Sequence, residues 1–156
     1  MLRAAMFAVV AVMAGSVPGQ PVATRLTYQA PVAGAVIDPF RAPPTPYSAG
    51  HRGVQYGTGP DEAVHAAAAG QVVFAGAVAG VNVVVILHAD RIRTTYSGLS
   101  SRPAIVVGAA VAAGQELGRV SGSLFFGARA GTAYLDPLVL LAHRRPRARL
   151  VPVSGG

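Results

Sequence analysis

From Ala63 onward the chain repeats one pattern, short β-branched runs cut off after a few residues by Gly, Asn or Asp. The runs are Gly70 to Ala77, Asn82 to His88, Ile92 to Tyr96, Ala104 to Val107, Leu117 to Val120 and Leu124 to Arg129. Such short, frequently broken segments suit hairpins, and the spacing predicts an all-β, antiparallel assembly. Val83 to Leu87 is apolar without alternation and predicts burial on both faces, whereas Arg91, Arg93 and Thr95 alternate with Ile92, Thr94 and Tyr96, so two packed sheets are expected. The Ala-rich pieces Ala66 to Ala69 and Val107 to Gly114 have helical propensity but sit where strand connections are needed. One short helix is expected, Asp136 to Ala142, with Asp136 as N-cap and Pro137 in the first turn.

The ends of the chain bound the domain. Arg3 and the apolar run Ala4 to Ala14, followed by Gly15, Ser16, Pro18 and Gly19, have the layout of a secretory signal peptide and are too short to span a bilayer. Residues 1–23 are therefore expected to be a signal peptide, 24–38 an extended lead-in, 39–142 one β domain and 143–156 a basic disordered tail. The expected location is secreted or in the cell envelope. The chain has no Cys, which excludes a disulfide framework and thiolate metal ligands. Its net charge of +7 gathers only at Arg144, Arg145, Arg147 and Arg149, a pattern that allows peripheral contact with anionic wall polymers or a membrane surface. With no basic face interleaved with aromatics, nucleic acid is not an expected partner.

The stretch Tyr47-Ser48-Ala49-Gly50-His51-Arg52-Gly53-Val54-Gln55 resembles the start of the lysostaphin-type, LytM-like cell-wall metallo-endopeptidases, where a His-x-Gly-x-Asp motif supplies two zinc ligands. Ala66 to Gly76, Asn82 to His88, Thr94 to Tyr96 and Val107 to Val120 resemble that family's later strands and Gly-marked hairpin, in order. Leu124 to Leu141 (LFFGARAGTAYLDPLVLL) is similar to a secreted actinobacterial subset with Leu-His-Trp-Gly before an Arg and a Tyr-Leu-Asp-Pro-Leu tail. The resemblance spans Pro39 to Leu141 and implies a two-sheet duplicated-hybrid-motif fold with minimal helix.

It also implies a site with most of its chemistry missing. His51 stands at the first zinc-ligand position, but Gln55 replaces the Asp and Phe125 the second His of the His-x-His pair. A zinc that activates water needs about three protein ligands and an open position. His51 alone reads as a vestigial ligand that holds the Gly50 to Gly53 turn by hydrogen bonding. The assisting-His positions fall on Gly98 and Ser123, neither of which can orient water or stabilise an oxyanion. No catalytic residue and no cofactor are therefore expected. The alternative is an active zinc endopeptidase that cuts peptidoglycan cross-links through a divergent site, for example one rebuilt from His51, Asp61 and another His. His88, after the central strand, reads as a hydrogen-bonded structural residue.

Three functional classes follow from the residues. A degenerate envelope domain would bind peptidoglycan or regulate a wall hydrolase, with Arg52, Tyr56 and Tyr96 as exposed binding candidates beside the former site. The active zinc peptidase is the second. A biotinyl or lipoyl carrier, which VGAAVAAGQELG also resembles, needs a Lys, and all 13 basic residues are Arg.

Overall fold

The computed structural model describes residues 26–142, so the expected signal peptide and basic tail lie outside the described residues. In chain order the elements are β1 (Val36–Asp38), β2 (Gly53–Gly57), β3 (Glu62–His65), β4 (Gly70–Val78), β5 (Val81–Leu87), β6 (Ile92–Leu99), β7 (Ala110–Val111), β8 (Glu116–Val120), β9 (Ser123–Ala130), β10 (Ala133–Leu135) and the helix α1 (Pro137–Ala142). Eight strands form one antiparallel sheet in the order β1-β2-β9-β6-β5-β4-β7, with β10 also on β9. A second sheet consists of β3 and β8. The protein is thus all-β in two sheets with one short helix.

The large sheet buries one face. Val54, Tyr56, Val72, Val84, Ile86, Tyr96, Leu124 and Phe126 project from it into one cluster with Val64, Leu117 and Val120 of the small sheet. Each such side chain taken fully from water stabilises the fold by roughly 1.5–3 kcal/mol. The extended segment before β1 closes the same core with Tyr28 and Val32, and the Gln29 amide donates to the Ala67 carbonyl at 2.9 Å. Ala66 to Ala68 are buried, and residues 67–69 form a bend in which Ala67 N–H donates to the Tyr96 hydroxyl at 2.8 Å instead of to a helical carbonyl.

The opposite face is open, which limits two expectations. In β5, Val84 and Ile86 are buried but Val85 and Leu87, which face outward, are only half-buried. Ala104 to Val107 is not a strand: between Pro103 and Gly108 the segment is a loop in which Val106 and Val107 are exposed and only Ile105 packs on the core. Alternation in β6 does follow the pattern, with Thr94 and Tyr96 buried and Arg93 and Thr95 on the opposite face. At α1, Asp136 Oδ1 accepts the Leu138 amide at 2.9 Å, a carboxylate N-cap before Pro137.

Candidate functional site

The antiparallel pairing of β2 with β9 fixes the geometry of the positions that the resemblance assigns to metal ligands. Gln55 and Phe125 are register partners, as are Gly53 and Gly127, and Gly57 and Ser123. Positions 125, 127 and 129 alternate onto the open face, opposite to the core residues Leu124, Phe126 and Ala128. The two facing glycines leave a trough, and the Phe125 ring lies in it. A Cβ on Gly53 would come within 2.6 Å of Phe125 Cζ, and one on Gly127 within 3.1 Å of Phe125 Cε1.

His51 stands edge-on to that ring, with centroids 5.6 Å apart. Its Nδ1 donates to the Pro39 carbonyl at 2.9 Å, and its backbone exchanges two hydrogen bonds with Arg41. His51 therefore ties the strand entry to the segment after β1, a wider attachment than the turn expected from sequence. Gln55 is spent locally, its Nε2 donating to Ser123 Oγ at 2.9 Å. Among the described residues no group of three or more His, Asp or Glu gathers in a way that could hold a metal ion. Asp61 is exposed, and its amide donates to Ser121 Oγ. Gly98, beside Ser123, has φ +102°, a conformation that side-chain-bearing residues rarely adopt.

Of the three binding candidates only Arg52 borders the open face. Tyr56 (4% exposed) and Tyr96 (0%) point into the core, because their strand parity is that of Val54 and Thr94. They cannot meet a ligand from solvent. Arg52 donates to the Pro46 carbonyl at 2.8 Å and lies 5.3 Å from the Tyr134 ring centroid. Together with Arg93, Arg129, Tyr134, Thr95 and an apolar floor of Val73, Val85 and Phe125, it lines a groove of about 540 Å³. Arg93, Arg129 and Tyr134 escaped the sequence reading. Alternation with Thr94 and with Ala128 placed Arg93 and Arg129 outward, but their proximity depends on pairing between strands distant in sequence.

Beneath the sheet runs a buried polar relay. His88 is 3% exposed, with Nδ1 2.8 Å from the Ala69 carbonyl and Nε2 2.7 Å from Thr94 Oγ1. A carbonyl only accepts, so Nδ1 carries the proton and, in the neutral ring, the Thr94 hydroxyl donates to Nε2. Thr94 Oγ1 and the Tyr96 oxygen are 3.0 Å apart, completing the chain to the Ala67 amide. Burial pushes the His88 imidazole below its ordinary value, against smaller opposing effects of the Ala69 carbonyl and Asp90. Burial also pushes the Tyr96 phenol up to about 12. Tyr28 stands edge-on to His88 at 5.2 Å and donates to the Asp90 carboxylate at 2.8 Å, and burial raises its phenol still further. The arrangement is structural: it closes the hydrogen bonds of buried groups.

Comparison with known proteins places this geometry. Residues 49–137 match the model of peptidase family M23. A protein of Mycobacterium tuberculosis, itself described only as uncharacterised, is 34% identical over 152 residues, covering 90% of this chain and 60% of its own length. The chain thus spans about three fifths of that relative. Helicobacter pylori Csd3 superposes with a TM-score of 0.63 at 30% identity, over 71% of this chain and 33% of Csd3. The catalytic domain of the antimicrobial peptidase lysostaphin from Staphylococcus simulans shares the fold, with a TM-score of 0.59 at 22% identity over 70% of this chain and 92% of that domain.

Proposed function

The chain belongs to peptidase family M23, and we propose that it acts in the cell envelope as an exported member that binds peptidoglycan peptides without cutting them. The observation that carries this reading is the Phe125 ring, lying in the Gly53 and Gly127 trough, at the position that the resemblance assigns to a metal donor. The donor set does not fit zinc. His51 offers one imidazole nitrogen, Gln55 a neutral amide already bonded to Ser123, and Phe125 nothing. A dication held by one imidazole keeps most of its coordination to water and gains little of the roughly 10–16 kcal/mol that complete structural zinc sites reach.

What the open face retains is a binder's equipment. A groove with an apolar floor and a few polar groups at its wall suits a short peptide, with Arg and aromatic side chains as anchors. His51 contributes by position, fixing the β2 entry to the segment at Pro39 and Arg41 and so setting the wall from which Arg52 reaches Tyr134.

The test combines three measurements on the exported protein: metal content after dialysis against micromolar zinc, retention on insoluble peptidoglycan at low salt, and release of soluble wall fragments. Retention without zinc and without release is expected. Chelator-sensitive release would restore the endopeptidase reading, and retention by envelope proteins but not by the wall would make the domain a regulator of a wall hydrolase.

A further inference from the structure

We propose that the open face carries a carboxylate-binding site formed by Arg93 and Arg129, with Tyr134 beside them, and that its ligand is a short peptide presenting a free carboxylate next to small aliphatic groups. This deepens the wall-binding reading, on which the source of the peptide rests.

Arg93 and Arg129 are register partners on β6 and β9, and Tyr134 is the partner of Arg129 on its other side. The three form one row across three adjacent strands. Like charges directly opposite one another in a sheet repel, so this pair is unfavourable unless an anion sits between its members. The chain does not supply one from its side chains. It contains six Asp and Glu residues in all. Asp38, Asp61 and Glu116 pair with Arg41 or Arg119. Glu62 accepts the Ala33 and Gly59 amides, Asp90 the Tyr28 hydroxyl, and Asp136 caps α1. None lines the groove, and neither the Arg93 nor the Arg129 guanidinium has an ion pair or hydrogen bond among the described residues. Two guanidinium forks on neighbouring strands offer parallel donors to a carboxylate's two oxygens.

The floor selects among anions. Next to the arginine row, Thr95 is partnered with Gly127 and with Val85, so the adjoining row is small, with the Thr95 hydroxyl as its one polar side-chain group. Val73 and Phe125 extend it. A phosphate on a polyol chain would leave the apolar part of that floor uncovered, whereas the methyl groups of a short peptide cover it.

The test uses a fluorescently labelled Ala-Ala-Ala peptide with a free C-terminus, its C-terminal amide, and a glycerol phosphate polymer as competitor, read by anisotropy at low salt on the full chain. The free acid should bind about tenfold or more tightly than the amide, since only it engages charge-assisted bonds. R93Q and R129Q should each erase that difference, and R93K should keep part of it. Because both positions face outward, unchanged thermal unfolding of the variants separates loss of binding from loss of fold. Equal binding of acid and amide, insensitivity to both substitutions, or displacement by the polyol phosphate at lower concentration than by unlabelled Ala-Ala-Ala acid would overturn the proposal. Retention of R93Q/R129Q on peptidoglycan at the wild-type level would remove the carboxylate site and leave wall binding standing. Acid-selective peptide binding without wall retention would keep the site and remove the wall as its source.

Discussion

Phe125 and Gly53 share one volume: the ring of the first occupies the space that a β-carbon on the second would take, 2.6 Å from Cζ. A hypothetical Cβ on Gly53 also falls 2.5 Å from the Phe126 carbonyl oxygen, a backbone atom that cannot swing away. Gly53→Ala should therefore destabilise the fold by about 1–3 kcal/mol, the usual cost of overpacking. In a Phe125→Ala background the cost should be smaller but not zero, because the ring is gone while the carbonyl stays. Urea unfolding of the two single variants and the double variant measures this coupling, and strict additivity would show that ring and glycine are independent.

Removing the ring alone has its own expected result. Phe125 is half-buried, so Phe125→Ala should cost less than the roughly 3–5 kcal/mol of a fully buried aromatic, and it should widen the groove. A lower unfolding midpoint with an unchanged circular dichroism spectrum is the expected outcome. A variant as stable as the wild type would mean that the ring merely rests on the surface.

The relay beneath the sheet makes stability depend on pH. His88 is held neutral, with its folded pKa below the ordinary 6.5. Above the unfolded value both states are neutral and the full stability is present. As pH falls through about 6.5 the unfolded chain takes up a proton that the folded protein resists, so stability is lost progressively until the folded value is passed. Thermal unfolding between pH 8 and pH 5 should show this decline, and His88→Asn, which keeps a donor for Ala69, should flatten it while lowering stability overall. A slope unaltered by the substitution would assign the pH dependence to other groups.

Thr94 is the middle of that relay, and Thr94→Val preserves its shape while deleting the hydroxyl. His88 Nε2 would lose its donor and the Tyr96 hydroxyl an acceptor, both in a buried setting. The expected destabilisation is about 1–3 kcal/mol. Thr94→Ser should lose less, since it keeps the oxygen, and the comparison by chemical unfolding separates the hydrogen bonds from the packing.

Much of this architecture was legible because β-branched runs ending in Gly or Asn leave a chain few choices. The misreading at Ala104 to Val107 has a physical origin: composition alone does not distinguish a strand from a loop that turns only Ile105 inward. Tyr56 and Tyr96 could have been placed correctly by parity, since period-two alternation puts residues 54 and 56 on the face opposite to 53 and 55. What no local pattern supplies is register between distant strands. The facing of Arg93 and Arg129, and of Gln55 and Phe125, depends on β9 lying between β2 and β6. The relay likewise needs Ala67 and Ala69 brought beneath β6 by the bend that precedes β4.

That register sets the terms for rebuilding a metal centre. Gln55 and Phe125 already face one another, and His51 is in ring contact with Phe125 through an imidazole whose Nε2 has no partner among the described residues. Replacing Gln55 with Asp and Phe125 with His supplies a carboxylate and a second imidazole where the wild type has an amide and a phenyl ring. After dialysis against micromolar zinc, elemental analysis should find no stoichiometric metal in the wild type and about one zinc per chain in the double variant, a gain of orders of magnitude in affinity. Each single variant should fall far short, because two ligands leave half of a tetrahedral site to water. Wall cleavage should still be absent from the double variant. Gly98 and Ser123 provide no imidazole to orient water or stabilise an oxyanion, and a His placed at position 98 would have to adopt φ near +102°. Stoichiometric zinc in the wild type would mean that the chain completes the coordination of His51 from elsewhere and that the hydrolytic reading is correct.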